Sequence, residues 1–211
     1  MSMPHANQPV YVAGAKLDEA SAAMVLLHGR GATAQDILSF STYLARPGLA
    51  FLAPQAADFE WYPNRFVAPI EQNEPYLSSA LSVIGEIIQN VEARGISTEK
   101  IFIGGFSQGA CLASEYVIRN PRRYGGLLAF SGGYIGPLNT QRQSTGDLKG
   151  MPAFLGCSDV DPHIPLQRVQ ETSALLKEMG ANVTEKIYPG MGHTINDDEI
   201  EGAKTIIEQD M

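Results

Sequence analysis

Residues 101–113, Ile-Phe-Ile-Gly-Gly-Phe-Ser-Gln-Gly-Ala-Cys-Leu-Ala, constrain this chain more than any other stretch. The apolar run from Ile101 reads as a buried strand that stops at Gly104-Gly105, and small and apolar residues at helical spacing follow it. Ser107 sits at the junction, inside Gly105-Phe106-Ser107-Gln108-Gly109. A serine held on a sharp strand-to-helix turn needs room on both sides, and glycines two before and two after provide it. Such a turn lifts the serine Oγ above the sheet edge, and the helix behind it aims free N–H groups at developing negative charge. The bare pattern also describes a tight turn in which Ser107 only caps the helix. The strand before and the helix after favour a nucleophile.

Other apolar runs place further strands and helices around this one. Val10 to Ala13 reads as a short edge strand before Gly14, and Ala22 to Leu27 as a buried strand leading into His28-Gly29-Arg30-Gly31. Ile37, Leu38 and Phe40 give helical spacing over 34–44, with Pro47-Gly48 as the stop, and Phe51 to Ala53 is a strand ended by Pro54. Residues 55–75 lack a clean period and form the longest irregular connection. From Tyr76 to about Ala93, apolar residues recur at three and four, the strongest amphipathic helix of the chain. Further strands are expected at 126–130, 152–157 and 183–188, with helices at 166–179 and 197–209 and a solvated loop at 136–150. Buried strands alternating with helices predict an α/β fold: a mostly parallel sheet covered on both faces. No repeat or linker divides residues 1–211, which are read as one domain.

Size and charge narrow the partners. With 211 residues and 44% hydrophobic, the chain suits one sizeable core. Its formal net charge of −8, without a Lys/Arg cluster, disfavours nucleic acid or an anionic membrane as partner. No signal-peptide h-region is seen in the polar stretch from Met1 to Pro9, which includes His5, and no apolar run is long enough to span a membrane. Cys111 and Cys157, the only cysteines, both fall in apolar runs and read as buried thiols of a reducing compartment. A cytoplasmic protein without stable membrane insertion is expected, and homodimerisation is left open.

In an open α/β sheet, residues meeting at one site come from loops at the carboxyl ends of strands. The loops holding His28, Ser107, Asp159/Asp161 and His193 satisfy that rule. Activating a serine requires a neutral imidazole within reach and a carboxylate to hold its tautomer. Of the four histidines, His5 lies in the polar tail and His28 follows its strand directly, where it is better placed to fix that loop. His163 is restricted by Asp161-Pro162, whereas His193 sits in a glycine-rich loop and can swing over the nucleophile; it is the favoured base. In chain order serine, acid, histidine, the acid is Asp159 or Asp161. Asp161 is favoured because Pro162 holds its turn open, while Asp159 is placed to brace the loop through backbone N–H groups.

The motifs then resemble the phospholipase/carboxylesterase family of small α/β-hydrolases, which includes acyl-protein thioesterases and bacterial carboxylesterases. The likeness rests on Leu26-Leu27-His28-Gly29-Arg30-Gly31, Ala53-Pro54-Gln55, Gly104 to Ala110, Ser158-Asp159-Val160-Asp161-Pro162-His163-Ile164-Pro165 and Gly192-His193. It implies an α/β-hydrolase fold with little or no lid. It also implies Ser107 as nucleophile, Asp161 as acid, His193 as base, and the backbone N–H groups of Arg30 and Gln108 as oxyanion donors. Ser158 stands where glycine is common, and His163 where an aliphatic residue is usual. Residues 61–66 differ from the eukaryotic thioesterases and look more like a bacterial esterase branch, which weakens acylated protein as the substrate.

The expected reaction is acyl transfer to water through an acyl-enzyme, on short- to medium-chain or aromatic carboxylic esters, needing no metal or organic cofactor. The His and Cys residues show no zinc-ligand spacing, and no Lys-Ser/Thr follows Gly29 and Gly31 as in a nucleotide loop. The alternatives are a thioesterase, lysophospholipase or dienelactone-type hydrolase using the same triad, or a ligand-binding protein on a hydrolase fold. Trp61, Phe106, Tyr134 and Met191 are candidates to line the substrate pocket, with Phe106 equally able to lie beneath the elbow. Arg65 has two readings: a surface ion pair, which is the blander, or recognition of a substrate carboxylate, as an arginine does in some dienelactone hydrolases.

Overall fold

The computed structural model describes residues 3–140 and 142–211. Among these residues, seven strands form one sheet: β1 (Val10–Gly14), β2 (Ala22–Leu27), β3 (Leu49–Pro54), β4 (Ile101–Phe106), β5 (Gly126–Phe130), β6 (Pro152–Ser158) and β7 (Asn182–Tyr188). Their spatial order is β1-β3-β2-β4-β5-β6-β7. Only β1 runs antiparallel, pairing Val10 with Pro54 and Gly14 with Ala50 along β3. The other neighbours are parallel. This is an α/β-hydrolase fold without a large lid insertion.

Strand alternation builds two cores. Ala23, Val25 and Leu27 of β2, with Ile101 and Ile103 of β4, face one side. Ala22, Met24 and Leu26, with Phe102, face the other. Both faces are apolar because helices cover both. Helices α3 (Tyr76–Glu92), α4 (Gln108–Arg119) and α5 (Leu166–Glu178) pack on the first side. On the second lie α1 (Ala34–Ser39), α2 (Ser41–Leu44) and α6 (Asp197–Asp210). Among the described residues, no helix is long and apolar enough to cross a membrane.

The helix expected over 34–44 is broken at Phe40. Ser39 Oγ donates to the Asp36 carbonyl and Thr42 Oγ1 to the Ser39 carbonyl. Phe40 and Tyr43 donate three residues back rather than four. Hydroxyls competing for main-chain acceptors thus tighten and interrupt the helix.

The polar tail is also not where its composition suggested. His5 is buried, its backbone N–H donating to Ser79 Oγ at 3.0 Å on α3. Its ring packs against Trp61 and Tyr76, so the N-terminal segment folds under the irregular connection.

Strand order also locates the site. From β2 the chain moves to β3 on one side and later to β4 on the other, so the loops after β2 and β4 diverge at a topological switch point. Such a divergence opens a crevice at the strands' carboxyl ends.

Candidate active site

Ser107 caps α4 immediately after β4, with φ 55° and ψ −118°. A non-glycine residue holds such a conformation only where its surroundings impose it. Here the Ser107 N–H donates to the Phe130 carbonyl at 3.0 Å, and its own carbonyl accepts from Cys111 at 3.0 Å. The flanking glycines let the turn approach β2. A Cβ on Gly105 would lie 2.7 Å from the Leu27 carbonyl oxygen, and one on Gly109 only 2.1 Å from it.

Two long-range contacts complete a chain of hydrogen bonds. Ser107 Oγ lies 2.9 Å from His193 Nε2, and His193 Nδ1 lies 2.7 Å from Asp161 Oδ2. With Asp161 ionised, Nδ1–H donates to the carboxylate and Nε2 is left as acceptor for the serine hydroxyl. An imidazole held in that tautomer can take the serine proton.

Asp161 Oδ1 accepts from the backbone N–H groups of His163 at 2.8 Å and Ile164 at 3.0 Å. Burial pushes this carboxyl's pKa up, but the bonds from His193, His163 and Ile164 outweigh it, and the net shift is downward. Asp161 is therefore a carboxylate at neutral pH. Phe106 supports the imidazole from one side, ring centroids 4.7 Å apart, and the His163 ring meets it edge-on at 4.8 Å. His163 lines the cavity, and the contact of its ring is with His193 rather than with either aspartate.

Asp159 does something other than brace its own loop. Its Oδ1 accepts from the Gly190 N–H at 2.8 Å, tying the acid loop to the loop that carries His193. The carboxylate does accept a backbone N–H, as expected, but the donor lies in the His193 loop rather than nearby in its own; the two N–H donors to Asp161 hold the acid locally.

The 55–64 connection cages the loop after β2. Gly31 N–H donates to the Phe59 carbonyl at 2.8 Å. Asp58 and Phe59 both take positive φ, 52° and 61°, to deliver that acceptor. The Arg30 guanidinium pairs with Glu60 and donates to the carbonyls of Tyr62 at 2.7 Å, Pro63 at 3.0 Å and Asn64 at 2.8 Å. Gln108 clamps the same segment: its Oε1 accepts from Trp61 N–H at 2.9 Å and its Nε2 donates to Tyr62 O at 2.8 Å. The loops bearing the Arg30 and Gln108 N–H groups are thereby held by one strap.

A cavity of about 510 Å³ opens beside Ser107. Its apolar wall comes from Tyr62, Phe66, Phe106, Cys111 and Ile164, and Arg65 and His163 also line it. A larger groove of about 640 Å³ follows β7 and α6, but its lining holds no histidine, cysteine or carboxylate.

Of the residues expected to line the pocket, Phe106 and Arg65 reach the cavity, and Trp61, Tyr134 and Met191 do not. Trp61 is wholly buried and donates through Nε1 to the His28 carbonyl at 2.9 Å. Tyr134 lies under Arg168, whose guanidinium carbon is 4.1 Å from the ring centroid. Met191 is half-buried, its Sδ facing Asn196 Nδ2. Tyr62, Phe66 and Ile164 take the wall positions instead. Ile164 belongs to the acid-loop motif and Tyr62 and Phe66 to the 61–66 segment, but no period marks which side chain of an irregular loop turns inward.

Trp61 lies between two buried histidines, its ring centroid 5.5 Å from that of His5 and 5.0 Å from that of His28, with both pairs tilted. His28 Nδ1–H donates to the Gly29 carbonyl at 2.8 Å, so its Nε2 accepts from Ala56 N–H at 3.1 Å. His5 Nδ1 accepts from Ala57 N–H at 3.0 Å, and Nε2–H donates to the Trp61 carbonyl at 3.0 Å. Each ring must be neutral to accept its backbone bond.

Burial foremost lowers both pKa values below the usual 6.5. The unfolded chain therefore binds more protons below that pH, and the stability these groups contribute above about pH 6.5 is lost as pH falls through their folded values. The thermal midpoint is expected to drop between pH 7.5 and pH 5. The His5→Asn variant, whose Oδ1 can replace Nδ1 as acceptor, should show a shallower slope. An equally steep slope in that variant would exclude His5 from the acid response.

Residues 10–210 match the family model described as Phospholipase/Carboxylesterase. A solved phospholipase/carboxylesterase from Dyadobacter fermentans DSM 18053 superposes with a TM-score of 0.91 at 44% identity, covering 96% of this chain and 97% of that one. Acyl-protein thioesterase 1 of Saccharomyces cerevisiae is 27% identical over 222 residues, 93% of this chain and 96% of the relative. The Bacillus cereus carboxylesterase shares the fold, with a TM-score of 0.74 at 20% identity over 98% of this chain and 96% of that one.

Proposed function

This chain belongs to the phospholipase/carboxylesterase family of serine hydrolases, and from that premise we propose that it is a carboxylesterase acting on short- to medium-chain or aromatic esters. The observation that carries the reading is the Ser107–His193–Asp161 hydrogen-bond chain at the mouth of a cavity with an apolar wall. Ser107 attacks the ester carbonyl while His193 Nε2 takes its proton. The Arg30 and Gln108 N–H groups receive the oxyanion. His193 then protonates the leaving alkoxide, and water repeats the sequence on the acyl-enzyme. Asp161 holds the tautomer and balances the imidazolium.

A cavity of about 510 Å³ has the size of a small-molecule site, which favours small esters over an acylated protein surface. Thioester hydrolysis is the second reading, supported by the likeness to the yeast thioesterase. Residues 1–211 act in this proposal as one domain, since strands drawn from 10–188 join one sheet. Two buried, unpaired cysteines favour a reducing compartment such as the cytoplasm.

The test is a chain-length series of 4-nitrophenyl esters alongside acyl thioesters of the same lengths, each in excess chelator. Turnover should peak at short to medium esters, exceed that of the matched thioesters, and be unaffected by chelator. Activity that vanishes in chelator and returns with zinc would refute the metal-independent mechanism, and faster thioester cleavage throughout would move the assignment to the second reading.

A further inference from the structure

The cavity carries a charge that the ester chemistry does not use. Eight of the nine arginines in this chain are ion-paired with a carboxylate. Arg65 is the exception: among the described residues its guanidinium makes no ion pair or hydrogen bond, in a chain with 23 acidic side chains available. The blander reading of Arg65 as half of a surface ion pair is thus not what the fold adopts. Instead, Arg65 lines the cavity that holds Ser107 and His193, and no aspartate or glutamate lines that cavity with it. Arg30, the other arginine there, is committed to Glu60 and three carbonyls.

The backbone around Arg65 is set in place while its side chain is left open. Asn73, wholly buried, accepts from the Asn64 N–H at 2.9 Å and donates to the Arg65 carbonyl at 3.3 Å. The Phe66 carbonyl accepts from Gly136 N–H at 2.8 Å, and Phe66 itself is buried in the cavity wall. A guanidinium on an anchored loop, facing a cavity without acids, offers a planar fork matched to a carboxylate. The protein's net charge of −8 repels anions generally, so a local cation is what would admit one here.

We infer that Arg65 is an anion subsite and that the preferred substrates are esters carrying a free carboxylate, such as half-esters of dicarboxylic acids. This rests on the esterase reading above and specifies its substrate class. The carboxylate pairs with the Arg65 guanidinium while the ester carbonyl lies at Ser107, so the charge lowers KM rather than changing the chemical step.

Two matched pairs test it, one with the charge on each side of the ester. The first is mono-4-nitrophenyl adipate against its methyl-capped diester; the second is 4-acetoxybenzoate against its methyl ester. For at least one pair, kcat/KM should favour the carboxylate by roughly 10-fold, chiefly through KM, as expected of a partly exposed charge-assisted bond. Added salt should shrink that ratio. It should collapse toward one in Arg65→Met and partly return in Arg65→Lys.

A ratio near one in the wild type for both pairs, or a ratio unchanged by Arg65→Met, overturns the subsite. Calorimetric titration with adipate supplies a readout that needs no turnover. Should the folded wild type cleave no ester at all, the esterase reading falls and the titration decides the subsite alone. Adipate binding that is lost in Arg65→Met upholds it, and binding that is absent or unchanged overturns it.

Discussion

Ser107→Ala should fold as the wild type does and lose nearly all turnover, on the order of 10⁶-fold by comparison with other serine hydrolases lacking their nucleophile. Folding should survive because the turn is held from outside the side chain. The Ser107 N–H is bonded to the Phe130 carbonyl, its carbonyl to Cys111 N–H, and the close approach to Leu27 belongs to Gly105 and Gly109. Alanine meets the same positive-φ cost as serine. What disappears is the Oγ 2.9 Å from His193 Nε2, and with it the bond that would become the acyl-enzyme. A fluorophosphonate should label the wild type at Ser107, as located by peptide mass spectrometry, and leave the variant unlabelled. An adduct at another residue, or near-full esterase activity in Ser107→Ala, would remove Ser107 from the mechanism.

The acid loop sets the second large effect, and the direction of each bond sharpens it. In Asp161→Asn the side-chain oxygen is claimed by the N–H groups of His163 and Ile164, which donate to Asp161 Oδ1 in the native protein. That orientation turns the new amide NH₂ toward His193 Nδ1, where Oδ2 now lies at 2.7 Å. An NH₂ facing Nδ1 selects the tautomer with its proton on Nε2, pointing at Ser107, and the forming imidazolium has no counter-charge. A turnover loss of about 10⁴-fold is expected, with the fold retained.

Asp159→Asn differs because Asp159 Oδ1 accepts from Gly190 N–H, a bond that an amide oxygen can still accept. Its effect should be a few-fold at most by comparison with the loss of a positioning contact. Turnover and thermal midpoint of both variants decide the matter. A folded Asp159→Asn with the larger loss would exchange the two roles.

Much of the fold was legible without coordinates, and the reason is local. Buried strands declare themselves by unbroken apolar runs such as Ala22–Leu27, and helices by three- and four-residue spacing such as Tyr76–Glu92. The turn at Ser107 was legible too, because its glycines stand two residues either side of the serine, although the Leu27 carbonyl they make room for belongs to β2. The order of the loops at the sheet's edge followed from the alternation of strands and helices. Where competing local bonds exist, as at Ser39 and Thr42, helical spacing over 34–44 hides a break at Phe40.

By itself, then, the sequence determined the strand–turn–helix around Ser107 and the succession of polar loops that can reach it. Only the tertiary structure decided what each side chain in the aperiodic 55–75 connection does. Whether Trp61 or Tyr62 faces the cavity, whether Arg30 or Arg65 is committed to carbonyls, and whether His5 is tail or core depend on bonds across 28 to 74 residues of chain. Asp159 reaching Gly190 across 31 residues is of the same kind. A periodic element exposes its inward face through spacing. An irregular loop is shaped by whichever distant donors and acceptors satisfy its backbone, and those are assembled only when the sheet has brought its carboxyl ends together.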